Sequence, residues 1–174
     1  MINIKTQSFI DCLSQVKLLA LDVDGILTDG GLYYTESGEE LKKFNVKDGQ
    51  GLVVLQKMGI RVAIISGSDS KATLHRAKKL NIKYVYISVE DKLSILKNLC
   101  QELNIGLSQV AYMGVDLTDE SILSVVGYPI TVPDAIQKVK SLTLYTTQKL
   151  GGKGAVREVC DLICKAHEKL GSSS

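Results

Sequence analysis

Leu18-Leu19-Ala20-Leu21-Asp22-Val23-Asp24-Gly25-Ile26-Leu27-Thr28-Asp29-Gly30 is an apolar run that ends in two carboxylates, one residue between them, and then a glycine. A run so short, bounded by polar residues, reads as a buried strand. Strand side chains alternate between faces, so Asp22 and Asp24 would project the same way if the strand continued past its end. Carboxylates that close repel each other unless a cation lies between them or one takes a proton. Gly25 permits a sharp turn and a close approach to the chain. Two readings stand: a ligand site at the carboxyl end of a strand in an open α/β sheet, or an Asx-turn or cap.

Working outward, a short helix over Ser8 to Val16 leads into this strand. Beyond Gly30, Leu32–Thr35 and Leu41–Val46 flank Glu36-Ser37-Gly38-Glu39, the pattern of a β-hairpin. Its arms alternate only loosely, which suits a face packed on something outside the domain. Asp48-Gly49-Gln50-Gly51 opens an apolar helix ending at Gly59. These glycines lack the third member of a dinucleotide fingerprint. From Ile60 strands and helices alternate: strands at Arg61–Ile65, Tyr84–Ile87, Gln109–Met113, Pro129–Val132 and Leu142–Tyr145, with helices between them and Pro133 in the first turn of one. Gly151-Gly152-Lys153-Gly154 precedes a last helical stripe that Gly171 stops. That loop either holds an anion at a helix start or is simply flexible, and Gly171 to Ser174 are expected to be disordered.

Such alternation predicts an α/β fold, a doubly wound parallel sheet, because parallel strands need helical crossovers. The hairpin, about residues 31–47, is an insertion after the first strand, and there is no room for a large cap. The chain reads as one domain over 1–174 with a C-terminal tail from 149 onward. Its 174 residues suffice for a sizeable core, and 45% hydrophobic with 23% charged residues is an ordinary globular composition. A net charge of +2 with dispersed lysines and few aromatics argues against nucleic acid. No apolar run is long enough to span a bilayer, and Met1–Gln7 lacks a signal peptide's apolar segment, so a cytoplasmic protein is expected. Cys12, Cys100, Cys160 and Cys164 form no CxxC pair and are expected as buried free thiols. His75 and His167 are expected to be solvated.

Three strand ends carry related chemistry: Asp22 and Asp24, then Ser66-Gly67, then Asp116 with Asp119 a turn later, while Lys92 starts the helix after the fourth strand. A parallel sheet gathers all of them on its carboxyl edge. The set supplies a carboxylate nucleophile, a second carboxyl for proton transfer, a hydroxyl, an ammonium and acids for a hard cation such as Mg²⁺. Phosphoryl transfer needs these parts. A carboxylate is ionised at neutral pH and attacks phosphorus without a base, while charge on the transferring group is neutralised around it.

Asp22-Val23-Asp24-Gly25-Ile26-Leu27-Thr28-Asp29-Gly30, Ser66-Gly67, Lys92 and Gly114-Val115-Asp116-Leu117-Thr118-Asp119 resemble the haloacid dehalogenase superfamily of phosphatases. Gly38-Glu39-Glu40, Phe44-Asn45-Val46-Lys47-Asp48-Gly49 and Gly151–Cys160 narrow the resemblance to its capless 3-deoxy-D-manno-octulosonate (KDO) 8-phosphate phosphatases and their relatives acting on nine-carbon nonulosonate 9-phosphates. It covers roughly Lys17 to Leu170. It implies Asp22 as nucleophile, Asp24 as acid and base with its carbonyl on Mg²⁺, and Ser66 and Lys92 on the phosphate. Gly67 and Thr28 are placed with the substrate. The expected metal set is Asp22, Asp24, Asp116 and Asp119, the last two standing in for a family carboxylate that this chain lacks. Arg76 and Lys79 stand where the nine-carbon relatives face substrate, or else solvate a helix. The family forms homotetramers whose hairpins build a central barrel and whose tail enters a neighbour's site, bringing Lys153 and Arg157 near a small acidic sugar phosphate. Two departures matter. Val115 stands where the family has its metal-binding aspartate, and Ser68 stands where the octulosonate enzymes commonly have arginine. A nonulosonate 9-phosphate phosphatase and a metal-impaired, non-catalytic homologue are therefore the alternatives.

Overall fold

Strand β1 (Leu18–Leu21) lies at the centre of the sheet and is buried along its whole length. In the computed structural model, which describes residues 4–172, it pairs in parallel with β4 (Arg61–Ile65) on one side and β6 (Val110–Met113) on the other. Beyond β4 lies β5 (Tyr84–Tyr86). Beyond β6 lie β7 (Tyr128–Thr131) and β8 (Tyr145–Thr146), giving the order β5-β4-β1-β6-β7-β8 with every pairing parallel. Both faces of the inner strands are covered, so they read as unbroken apolar runs rather than alternating ones.

This order decides where a site can form. From β1 the chain winds outward through β4 and β5, then returns to β6 and winds the other way. The reversal leaves a crevice between the carboxyl ends of β1 and β6, where open α/β sheets bind ligands. Leu21 is level with Met113, and the Asp22 N–H donates to the Met113 carbonyl at 3.0 Å. Asp22 and Gly114 thus leave the sheet together.

The helices are α1 (Ile4–Cys12), α2 (Val46–Lys57), α3 (Lys71–Lys79), α4 (Lys92–Leu103), α5 (Glu120–Leu123), α6 (Gln137–Leu142) and α7 (Ala155–Ser172). The doubly wound sheet agrees with the reading of the sequence, but several boundaries differ. Helix α2 begins at Val46, capped by the Asn45 side chain on the Lys47 N–H, so Gly49 and Gly51 are helical rather than a preceding loop. A Cβ at Gly51 would lie 2.9 Å from Arg157 Cδ and 3.1 Å from Cys160 Cβ. Gly51 lets α7 lie close against α2, while a Cβ at Gly49 would meet the Arg76 and Leu80 side chains. Pro133 stands in a turn, closed by Ala135 N–H donating to Val132 O, before α6 rather than in its first turn. Gly171 does not stop α7, which runs to Ser172; Ser173 and Ser174, like Met1–Asn3, lie outside the described residues. Cys12 is exposed, unlike the other three cysteines. A His167 ring nitrogen lies 3.1 Å from the Val16 carbonyl oxygen and is not simply solvated.

The insertion is a separate two-stranded sheet of β2 (Tyr33–Tyr34) and β3 (Glu40–Leu41), with Tyr33 opposite Leu41. It leaves Leu32, Tyr33, Tyr34 and Leu41 exposed. Among the described residues there is no large cap.

Candidate active site

The polar centre of the crevice is a chain of buried groups. Lys92, which starts α4, places Nζ 3.0 Å from Asp22 Oδ1 and 2.8 Å from Asp119 Oδ1. The Tyr112 hydroxyl, from inside β6, donates to the same Asp119 oxygen at 2.6 Å. The second Asp119 oxygen accepts the Val115 and Asp116 N–H groups at 2.9 and 3.3 Å. Asp22, Lys92, Tyr112 and Asp119 are all buried. Burial would lower the Lys92 pKa, but Asp22 and Asp119 more than offset this and hold the ammonium above its usual value. Burial first, and then the Asp119 charge, push Asp22 up to about 7, with Lys92 offsetting part of the rise. Two carboxylates share one ammonium, so ionised Asp22 has too little positive charge around it.

Asp119 is therefore an anchor for Lys92, saturated by four donors, rather than a spare ligand. Removing it strands a buried ammonium, which costs about 3–5 kcal/mol. Asp119→Ala is expected to lower the unfolding free energy by that amount in urea denaturation, with the lysine left holding only Asp22.

The remaining residues divide. Asp24 sits two residues beyond the nucleophile position, its carboxylate partly exposed and paired with Lys42 at 2.5 Å. Ser66 is buried at the end of β4, next to β1, and its hydroxyl accepts the Ser68 N–H at 3.2 Å. Gly67 follows it, facing the Val89 carbonyl. Asp116 is exposed and turned onto its own backbone, accepting the Leu117 N–H at 2.7 Å. The expected metal set is thus not assembled: Asp116 points away and Asp119 is consumed. Among the described residues no group of three or more His, Cys, Asp or Glu side chains is placed to hold a metal ion. Val115 is half-buried with its methyls against Gly25, whose Cβ, if present, would lie 3.1 Å from Cγ1.

Thr28 does not face a substrate. It is buried, and its hydroxyl accepts the N–H groups of Gly25 and Gly30 at 3.3 and 3.2 Å, so it shapes the loop after β1. Arg76 is likewise turned to structure, donating to the Asn45 carbonyl at 3.0 Å with its guanidinium over the Phe44 ring. Lys79 is exposed on α3. Lys153 and Arg157 line a cleft with Lys47, Tyr145 and Lys149 that does not reach Asp22, and Arg157 pairs with Asp161 at 2.8 Å.

The tail loop serves the candidate nucleophile's loop within the same chain. The Gly152 N–H donates to the Ile26 carbonyl at 3.0 Å, and a Cβ on Gly151 would fall 1.8 Å from the Gly25 oxygen. Buried Asp48 holds the tail in place by accepting the Gly154 and Arg157 N–H groups at the start of α7. Gly151→Ala must therefore push the loop carrying Asp22 and Asp24. The expected cost is about 1–3 kcal/mol, read as a lower melting temperature together with slower turnover.

Fold and site together define a haloacid dehalogenase-like hydrolase, and the family model of that description matches residues 85–158. Curated 3-deoxy-D-manno-octulosonate 8-phosphate phosphatases are similar over nearly the whole length. The one from Yersinia pestis is 43% identical over 90% of this chain and 84% of its own, and that of Escherichia coli K12 is 43% identical over 89% and 82%. Among solved structures, the Moraxella catarrhalis 3-deoxy-D-manno-octulosonate 8-phosphate phosphatase, in complex with magnesium, phosphate and KDO, superposes with a TM-score of 0.91 at 42% identity, covering 95% of each chain. The cobalt-bound Haemophilus influenzae phosphatase gives 0.86 at 36%, over 90% and 92%. The chain belongs to the family of these KDO 8-phosphate phosphatases.

Proposed function

We propose that the chain is a Mg²⁺-dependent phosphatase that hydrolyses 3-deoxy-D-manno-octulosonate 8-phosphate to KDO and inorganic phosphate through an aspartyl-phosphate on Asp22. The carrying observation is Lys92 held between Asp22 and Asp119 at the sheet's switch point, in a chain 43% identical to phosphatases of that name.

Asp22 attacks phosphorus while the bond from phosphorus to the sugar oxygen breaks, and Asp24 gives its proton to that leaving oxygen. Asp24 then takes a proton from water, which attacks the aspartyl-phosphate, freeing phosphate and regenerating Asp22. Lys92 and the Ser66 hydroxyl bear on the phosphoryl oxygens as charge shifts onto them. Asp119 and Tyr112 keep Lys92 in place.

The residues present fit Mg²⁺ through two oxygens rather than four carboxylates. Asp22, whose ionised form lacks positive charge, and the Asp24 carbonyl would hold it, with water and substrate phosphate completing the shell, as Mg²⁺ tolerates. Once bound, the ion neutralises charge on the phosphoryl group. Phosphate release from KDO 8-phosphate, compared with a nonulosonate 9-phosphate and repeated with EDTA, tests this. Release that needs Mg²⁺ and favours the octulosonate is expected; folded protein inert toward both overturns it.

The same reading makes the chain a cytoplasmic homotetramer in which Lys153 and Arg157 of one copy serve the substrate of the next. The exposed apolar hairpin supports it, as does the position of both cations away from Asp22 in their own chain. Light scattering on the purified protein decides the assembly state.

A further inference from the structure

We infer that Lys42 is a positioning residue that fixes the Asp24 carboxyl for proton transfer, an inference that rests on the phosphatase reading above. Lys42 belongs to the hairpin, outside the sheet, yet its ammonium reaches the loop after β1. Nζ lies 2.5 Å from Asp24 Oδ1 and 3.1 Å from Glu40 Oε1. The other Glu40 oxygen accepts the Tyr34 hydroxyl at 3.2 Å, from the facing hairpin strand. The Lys42 side chain is 1% exposed and that of Asp24 36%. This contrast decides the role. So covered a lysine side chain offers no surface to a substrate, whereas the carboxyl it holds stays open to solvent. With Oδ1 tied to the ammonium of a covered side chain, the aspartate is restrained about its two side-chain bonds while its carboxyl stays partly exposed.

Burying an ammonium is costly unless it is paired, and Glu40 supplies the second charge that keeps Lys42 where it is. The three groups form a strut from hairpin to loop. Proton transfer requires donor and leaving oxygen within hydrogen-bond reach, and a misplacement of about 1 Å costs roughly 100-fold. Thr28 and the tail hold the backbone of the loop that carries Asp24, so what Lys42 adds is an anchor for the Asp24 side chain.

The test compares two leaving groups. A sugar alkoxide must be protonated as its bond to phosphorus breaks, whereas p-nitrophenolate leaves as a stable anion. Lys42→Met is expected to lower kcat/KM for KDO 8-phosphate by about 100-fold or more and for p-nitrophenyl phosphate by less than about fivefold, since only the first needs the acid. An equal loss on both substrates, or no loss on either, overturns the proposal. A crystal structure of the variant gives a readout that needs no turnover: the Asp24 carboxyl is expected to leave its position, and an unmoved carboxyl overturns the proposal. Wild-type protein inert toward both substrates would instead remove the phosphatase reading, leaving the variant's structure to decide what Lys42 does.

Discussion

Val115→Asp is expected to tighten Mg²⁺ binding by about 10- to 100-fold or more and to raise phosphate release at limiting Mg²⁺ by a similar factor. Outer-shell losses alone typically cost that much, and here the position is one where the family motif carries a ligand. Neither Asp116 nor Asp119 is placed to make up the loss. Asp119 has both oxygens taken by Lys92, Tyr112 and two backbone N–H groups, and Asp116 is turned outward onto the Leu117 N–H. Val115 offers only methyls against Gly25. The new carboxylate would enter at the mouth of the crevice, half-exposed, so it is not stranded in the core. It would add negative charge beside an Asp22 that already resists ionisation. The variant is therefore expected to melt below wild type in EDTA and to gain more from added Mg²⁺. Titration by calorimetry, and melting with and without the ion, read both effects. Unchanged Mg²⁺ affinity would mean that an oxygen in the present chain already fills the coordination.

Much of this was legible in the chain, and the parts that were not share a physical cause. The strand ending at Asp22 declared itself because an apolar run terminating in acids has few other interpretations, and the alternation after Ile60 forced parallel crossovers. Lys92 and Asp119 were legible as members of a set at one sheet edge. Their bond to each other was not, nor was Tyr112, hidden in a strand whose apolar pattern gives no sign that one hydroxyl faces a carboxylate. Spacing could not tell Asp116 from Asp119, because a single 3-10 turn sends one outward and the other into the core. Gly49 and Gly51 read as a helix-opening loop because the reasons for them are distant in sequence: Arg76 and Leu80 crowd Gly49, and α7 lies against Gly51. Thr28 and Arg76 carry groups suited to a ligand but spend them on backbone atoms of their own chain. Lys42 gave no signal at all, since a lysine in a hairpin is ordinarily solvated and only the folded loop brings Asp24 to it.

Asp22→Asn is expected to separate catalysis from stability. Removing a catalytic nucleophile costs about four or more orders of magnitude in turnover, and acid-quenched protein should carry no acyl-phosphate, so loss of both is the expected result. The same change is expected to stabilise the protein without metal at neutral and alkaline pH. The sign follows from Asp22 being pushed up to about 7 by burial and by Asp119, against about 3.9 for an unfolded aspartate. Between those values the unfolded chain binds fewer protons at this site than the folded one, so stability falls as pH rises from about 4 to about 7 and then levels off. The asparagine variant lacks that contribution: its melting temperature should match wild type near pH 4 and exceed it at pH 8. Adding Mg²⁺ to wild type at pH 8 should recover much of the difference, because the ion supplies the positive charge that ionised Asp22 lacks, and should do little for the variant. A wild-type melting temperature that tracks the variant's from pH 4 to pH 8 would mean Asp22 is already balanced by Lys92 alone, and the case for a cation at this carboxylate would rest on the family resemblance only.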